Sequence, residues 1–228
     1  MKAKLLLSSF SACCAAFFAV LFLFVSVLRT QAEEAQVATV ARCFDGDTVK
    51  LMDRRIVRLA GIDSPELAHE QTREQFYART AQQELTRLVA GHKVVLTQAS
   101  VAPKDRYGRI IADLTLEDGQ SVSDLMISRG AAFFYPHKDL LPELQERLLE
   151  LQKVAIENRA GFWEELLSGP AGQKNYVGNR DSLRFFPADC PQADKIKPRH
   201  RVYFGTLMDA FLAGFAPARV CVFWPNAH

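Results

Sequence analysis

Three short apolar segments joined by tight turns occupy residues 37–60, and they constrain the fold more than any other feature of the chain. Residues 37–43, 48–52 and 56–60 have strand-like patterns, and Asp45-Gly46 and Asp53-Arg54 supply the turns between them. Turns this short can only join neighbouring antiparallel strands. The chain is therefore predicted to begin its folded part with a three-stranded meander.

The elements that follow extend this meander into a small barrel. A helix is predicted over residues 72–90, strands over 93–98 and 110–116, and further helices over 123–129 and 142–158. In the first helix, Ala78, Ala81, Leu85 and Leu88 share one face, as an amphipathic helix requires. Five short strands with a helix after the third predict an α+β, mainly β fold: a five-stranded OB-fold barrel with three helices.

The N-terminal segment has a different composition from the rest of the chain. Residues 5–28 form an uncharged, mostly apolar run that follows Lys2 and Lys4 and is closed by Arg29. Two interpretations remain open: a cleaved signal peptide, or an uncleaved membrane anchor. Either one predicts an exported protein, secreted or periplasmic, or anchored to the membrane by residues 5–28. The predicted organisation is a signal or anchor over 1–32, the barrel domain over 33–166 and a C-terminal extension over 167–228.

Composition excludes several classes of protein and leaves the extension without an assigned role. The chain is 49% hydrophobic and 24% charged and has ordinary numbers of Gly and Pro, which excludes a disordered chain, a collagen-like chain and a small disulfide scaffold. Its net charge is only +2, so any contact with nucleic acid requires a local site.

Residues 202–215 of the extension have the pattern of a short amphipathic helix. Cys190 and Cys221 are candidates for a disulfide in an oxidising compartment, without proof from the sequence that they pair.

Carboxylates concentrate next to the turns of the meander. Asp47 lies just after the first turn, and Asp63 lies just after the third strand. These two chain positions can converge at one end of a barrel. Two carboxylates without a soft ligand suit a hard cation, Ca²⁺ or Mg²⁺. Glu66 follows Asp63 closely enough to hold a water molecule beside such a cation.

Two arginines belong to the same constellation. Arg58 alternates with Val57 and Leu59 along the third strand, and Arg109 follows Gly108 at the start of the fifth. Guanidinium groups directed at a carboxylate site indicate an anionic ligand with paired oxygens, most simply a phosphate. The residues therefore predict a site that combines a cation and a phosphate.

Three motifs stand in order along the chain: Asp-Gly-Asp-Thr-Val from residue 45, Arg-Leu-x-Gly-Ile-Asp-x-Pro-Glu from residue 58 and Asp-x-Tyr-Gly-Arg from residue 105. With these motifs the chain resembles the staphylococcal (micrococcal) nuclease family. The resemblance extends over residues 37–163. It implies the same OB-fold with three helices.

The resemblance also implies roles for individual residues. Asp47 and Asp63 would bind Ca²⁺ through their carboxylates, and Ser64 would bind it through its backbone carbonyl. Arg58, Glu66 and Arg109 would be the catalytic residues. Four residues are expected to contact the nucleotide: Tyr107, Arg106, Lys104 and Tyr135.

The implied reaction is Ca²⁺-dependent hydrolysis of phosphodiester bonds in DNA and RNA, leaving 3′-phosphate ends. The nucleic acid would be single-stranded or locally open, and the enzyme is expected to be a monomer. Two other classes remain as alternatives: a catalytically silent nuclease-like module that binds nucleic acid or protein at the cell envelope, and an anchored scaffold that binds a partner through the extension. The intact acidic and arginine positions argue against both.

Overall fold

The computed structural model describes residues 36–69, 73–221 and 223–225. The predicted signal or anchor over 1–32 lies outside these residues. In the part of the chain that is described, no helix is both long and apolar enough to span a bilayer.

The predicted barrel is confirmed. Its strands are β1 (Gln36–Cys43), β2 (Thr48–Leu51), β3 (Ile56–Leu59), β5 (Lys93–Gln98) and β6 (Ile110–Thr115), which close in the order β1-β2-β3-β6-β5. All neighbouring pairs are antiparallel except β3 and β6, which run parallel. Alternate residues of the strands, such as Val49, Val57 and Leu59, are fully buried inside the barrel. A separate two-stranded pair, β4 (Ile62–Asp63) with β7 (Phe133–Phe134), lies at the end of the meander.

Helices pack outside the barrel as expected: α1 (Ala78–Val89), α2 (Val122–Ser128) and α3 (Pro142–Glu157), followed by a short α4 (Trp163–Ser168). The predicted first helix begins later than residue 72, at Ala78. Tyr77 has a left-handed backbone (φ 72°), which interrupts a helix. The backbone N–H of Phe76 donates to the carbonyl of Pro225 (2.7 Å) instead of entering a helical ladder.

The C-terminal extension is folded and contains a second sheet. Strands β8 (Tyr176–Asn179), β9 (Arg184–Pro187), β10 (Arg201–Phe204) and β11 (Ala216–Pro217) pair in the order β10-β8-β9-β11. The prediction of a helix over 202–215 is wrong, because residues 201–204 pair with β8 and the helix α5 covers only Leu207–Leu212. Thr206 starts α5 with a reciprocal capping box to Asp209. Cys190 and Cys221 form a disulfide.

One aromatic core joins the barrel domain to the extension. Trp163 packs edge-on against Phe211 of α5 (ring centroids 4.8 Å apart), and Phe162 packs against Trp224 (5.1 Å). Phe133 of β7 also contacts Phe211 (5.7 Å). All five side chains are buried. The extension is therefore packed onto the same face of the protein as β7, next to the β4 strand that carries Asp63.

Candidate functional site

The turn between β1 and β2 holds Asp47 in a buried position. The carboxylate of Asp45 accepts a hydrogen bond from the Asp47 backbone N–H (2.9 Å), which fixes the turn. Gly46 allows close packing, because a Cβ there would approach the Ser64 Cβ to 2.7 Å. Asp47 itself accepts hydrogen bonds from the Ser64 backbone N–H (2.8 Å) and the Thr48 hydroxyl (2.9 Å). The hydrogen bond from Ser64 to Asp47 thus connects this turn to the loop that follows β4.

Arg58 is the hub that brings the predicted metal carboxylates together. Its Nη2 lies 2.5 Å from Asp63 Oδ1 and 3.2 Å from Asp47 Oδ2. Its Nη1 donates to the backbone carbonyls of Ile62 (2.8 Å) and Leu59 (3.1 Å). The side chain is only 12% exposed, so the guanidinium is fixed in the floor of the site. The structure brings Asp47, Asp63 and Arg58 together, as their positions in the sequence suggested.

The acidic groups of this cluster have perturbed ionisation. Burial raises the pKa of Asp63 to about 6, and the neighbouring Asp47 carboxylate acts in the same direction, while Arg58 opposes both. Burial raises the pKa of Asp45 to about 7, again together with repulsion from Asp47. Burial also acts against ionisation of Asp47, but the Arg58 guanidinium and the accepted hydrogen bonds outweigh it and lower its pKa. Burial therefore favours the protonated forms of Asp45 and Asp63, whereas the partners of Asp47 favour its carboxylate.

Glu66 lies at the rim of the cluster, and its backbone is fixed by Gln75. The Gln75 side-chain oxygen accepts from the Glu66 backbone N–H (2.9 Å), and the Gln75 backbone N–H donates to the Glu66 carbonyl (3.0 Å). The Glu66 side chain is 38% exposed, so its carboxylate remains accessible to water.

Arg109 is positioned by Asp105, a residue of the third motif for which no role was predicted. Asp105 Oδ2 lies 2.6 Å from Arg109 Nε, and Asp105 Oδ1 accepts from the backbone N–H groups of Tyr107 (2.9 Å) and Arg109 (3.0 Å). Although burial opposes it, these hydrogen bonds lower the pKa of Asp105. The spacing of four residues within a turn-forming motif is the sequence feature that points to this pairing.

The predicted substrate-contacting residues lie around one open cavity of about 490 Å³, which also contains Arg58 and Arg109. Tyr107 is 68% exposed, and Arg106 donates to its hydroxyl (2.8 Å). Lys104 lines the same cavity. Tyr135 does too, but the Arg184 guanidinium of the extension lies 3.7 Å from its ring centre. One face of the Tyr135 ring is therefore stacked against the protein itself.

Arg219, in the extension, reaches the same cluster and was not foreseen. Its Nη2 lies 3.2 Å from Asp63 Oδ1 and 4.0 Å from Glu66 Oε1. The two residues Arg219 and Asp63 are 156 positions apart in the chain. No local motif marks Arg219, so only the tertiary structure could reveal it.

A cavity of about 360 Å³ collects these groups at one end of the barrel. It is lined by four carboxylates and three guanidinium groups, together with His69 and Tyr107; the charged residues are Asp45, Asp47, Asp63, Glu66, Arg58, Arg109 and Arg219. Within residues 36–69, 73–221 and 223–225, no three Asp, Glu, His or Cys side chains are grouped so as to hold a metal ion by themselves. A cation bound here would take part of its coordination from backbone oxygens, water or the substrate.

A closed OB-type barrel that brings together two aspartates, a rim glutamate and two arginines is the arrangement that the motif resemblance predicts for a phosphodiester-cleaving nuclease. Comparison with known proteins agrees. Residues 56–165 match the family model described as "Staphylococcal nuclease homologue". The chain belongs to the staphylococcal nuclease family, as its motifs predicted.

Individual relatives support this placement. An Escherichia coli protein named "Uncharacterized endonuclease" is 35% identical over 129 residues, which cover 55% of this chain and 76% of the relative. The "Probable endonuclease lcl3" of Aspergillus flavus is 34% identical over 128 residues, covering 50% of this chain and 45% of the relative. "Endonuclease YhcR" of Bacillus subtilis is 26% identical over 202 residues, covering 77% of this chain and 16% of that protein.

Proposed function

We propose that this protein is an exported, Ca²⁺-dependent nuclease that hydrolyses phosphodiester bonds in DNA and RNA and leaves 3′-phosphate ends. The observation that carries the proposal is the single Arg58 guanidinium bridging Asp47 and Asp63, in a cavity that Glu66 and Arg109 also line. Cation ligands, a water-handling carboxylate and phosphate-binding guanidinium groups are thus assembled within one small volume.

The donor set fits a hard cation. Asp47 and Asp63 offer carboxylate oxygens, burial together with carboxylate crowding raises the pKa of Asp63, and the lining carboxylates outnumber the guanidinium groups. Asp47, Asp63 and the Ser64 carbonyl would hold Ca²⁺, which would supply charge neutralisation and polarisation of the phosphate group. Zn²⁺ is not expected to replace it, because none of the proposed ligands is a His or Cys side chain.

The residues of the chain divide the remaining work. Glu66, held by Gln75, would accept the proton of the attacking water at its exposed carboxylate. Arg58 and Arg109 would donate to the phosphate oxygens as negative charge develops on them. Asp105 keeps the Arg109 guanidinium oriented towards the cavity.

Digestion of plasmid DNA and of single-stranded RNA by the purified protein tests the proposal. Activity is expected with Ca²⁺, is expected to vanish with a Ca²⁺-selective chelator and is expected to return when Ca²⁺ is added back. Glu66→Gln serves as the matched inactive variant. Full activity in chelator would refute the cation assignment, and binding without cleavage by the wild-type protein would favour the catalytically silent module instead.

Two further measurements test the finer parts of the proposal. Treatment of the products with a 3′-phosphatase should shift their electrophoretic mobility, whereas products with 5′-phosphate ends would not respond. N-terminal sequencing of the protein recovered outside the cytoplasm should begin near residue 33 if the signal is cleaved, and at residue 1 if residues 5–28 act as an anchor. Recovery of the protein in the cytoplasm alone would contradict export.

A further inference from the structure

The last part of the extension forms a strap that is fixed on both sides of Arg219; we define it as residues 216–221 and 223–225. Before Arg219, β11 pairs with β9, and the Ala218 backbone N–H donates to the Phe185 carbonyl (2.9 Å). After Arg219, Cys221 is bonded to Cys190, and Trp224 Nε1 donates to the Phe76 carbonyl (3.0 Å). The backbone that carries Arg219 is therefore held in place by contacts that do not involve its own side chain.

The Arg219 side chain itself is weakly held. The Arg219 side chain is 62% exposed, whereas that of Arg58, which also contacts Asp63, is 12% exposed. The distance to Asp63 Oδ1 is 3.2 Å from Arg219 Nη2 and 2.5 Å from Arg58 Nη2. Asp63 is thus already paired with a buried guanidinium, and an exposed second pair adds little to stability. A guanidinium in this position can exchange its carboxylate partner for a phosphate, whose oxygens match its paired donors.

Three cavities meet at Arg219. It lines the 360 Å³ cavity of the catalytic cluster, the 490 Å³ cavity around Tyr107 and Tyr135, and a third cavity of about 270 Å³ between the strap and Glu66. Its guanidinium also lies 5.9 Å from the Tyr135 ring centre. A polynucleotide that runs from one flanking cavity to the other across the catalytic cluster must pass this group.

We propose that Arg219 is a substrate-binding residue contributed by the extension, which binds a backbone phosphate neighbouring the scissile one. The proposal rests on the nuclease function proposed above and deepens it. It makes the strap a determinant of substrate class: chains with several phosphates gain a contact that a substrate with a single phosphodiester lacks. The Arg219 contact with Asp63 then belongs to the state without substrate.

The test compares Arg219→Ala with Arg87→Ala as a matched control. Arg87 is equally exposed (64%) and equally paired with a carboxylate, Glu84, but it lines none of the three cavities. Dissociation constants for fluorescein-labelled octathymidylate are measured by anisotropy in chelator, together with its displacement by the dinucleotide TpT. Steady-state kinetics on octathymidylate follow in Ca²⁺, at several salt concentrations.

Arg219→Ala should weaken octathymidylate binding and raise KM by roughly tenfold, the effect of losing one charge-assisted phosphate contact. The turnover number kcat should change by less than about threefold, because the contact is made before the transition state as well as in it. The slope of log Kd against log salt concentration should decrease by about 0.7, the contribution of one phosphate contact on a single strand. TpT binding and all properties of Arg87→Ala should remain as in the wild type, and Arg219→Lys should fall between wild type and Arg219→Ala.

Other outcomes would overturn the inference. Equal loss of octathymidylate and TpT binding would make Arg219 a structural residue, and higher activity in Arg219→Ala would make it a self-blocking one. An unchanged Kd and KM would exclude a substrate contact. A wild-type protein that binds octathymidylate through Arg219 but does not cleave it would refute the proposed nuclease activity while leaving the phosphate contact in place.

Discussion

Removal of the Cys190–Cys221 disulfide is expected to destabilise the whole described fold. The bond closes a loop of 31 residues, and the chain-entropy relation for a loop of that length gives about 3.7 kcal/mol of stabilisation. The double variant Cys190→Ser/Cys221→Ser should lose this amount because it lacks the cross-link. Neither cysteine lines the catalytic cavity, so the substitutions leave that cluster itself unaltered. Because the extension shares a buried aromatic core with the barrel domain, the loss should appear in the single unfolding transition of the protein.

Thermal unfolding offers a direct assay for this prediction. For a protein of this size, each kcal/mol shifts the midpoint by about 2–4 °C, so the double variant should melt roughly 10 °C below the wild type. Reductant should lower the wild-type midpoint by a similar amount and should leave the double variant unchanged. Cys43→Ser is the matched control, because Cys43 is a free thiol and forms no cross-link.

The reasoning would be refuted by a shift below about 2 °C, which corresponds to less than 1 kcal/mol. It would also be refuted if the near-ultraviolet signal of the extension melted in the double variant while the barrel remained folded. In that case the extension would unfold separately, and the aromatic core would not couple the two parts.

Three further predictions concern the catalytic cluster. Arg58→Lys and Arg109→Lys should each lower kcat by about a hundredfold. In urea unfolding, only Arg58→Lys should also lower the free energy of unfolding, by about 1–3 kcal/mol, because the buried Arg58 guanidinium contacts two carboxylates and two carbonyls. Glu66→Gln should lower the rate by about 10²–10⁴ without rescue by excess Ca²⁺, whereas higher Ca²⁺ should partly rescue Asp63→Asn; equal rescue of both would contradict the role given to Glu66. In chelator, the free energy of unfolding should fall as the pH rises from about 4 to 7. The reason is that Asp45 and Asp63, whose native pKa values are raised to about 7 and about 6, keep protons that the unfolded chain releases. Asp63→Asn should make this fall smaller, and a rise in the free energy of unfolding over the same range would contradict the prediction.

The barrel could be predicted from the sequence because its information is local. Alternating apolar residues and the Asp45-Gly46 and Asp53-Arg54 turns fix which strands pair, and pairing places Arg58 opposite Thr48 in the register of β2 and β3. Once the meander is known, Asp47 and Arg58 must lie near each other. The motifs then supplied the identity of the remaining catalytic candidates.

What could not be predicted depends on contacts between distant parts of the chain. The first helix begins at Ala78 because Phe76 bonds to Pro225, which lies far along the sequence. Arg184 covers Tyr135 from β9, where it also donates to the Pro136 carbonyl (3.0 Å), and Arg219 reaches Asp63 from the strap that follows β11. In the extension, the apolar pattern of residues 202–215 combined one strand and one short helix, and the turn at Gly205 separates them.

The shared aromatic core has a consequence for shortened forms of this chain. The family model ends at residue 165, inside α4, yet Trp163 of that helix is covered by Phe211, well beyond that limit. The matched segment and the folding unit therefore have different ends. A chain cut back to the matched segment would expose the aromatic side chains of Phe133, Phe162 and Trp163 that Phe211 and Trp224 cover, and it would lose the free energy of their burial.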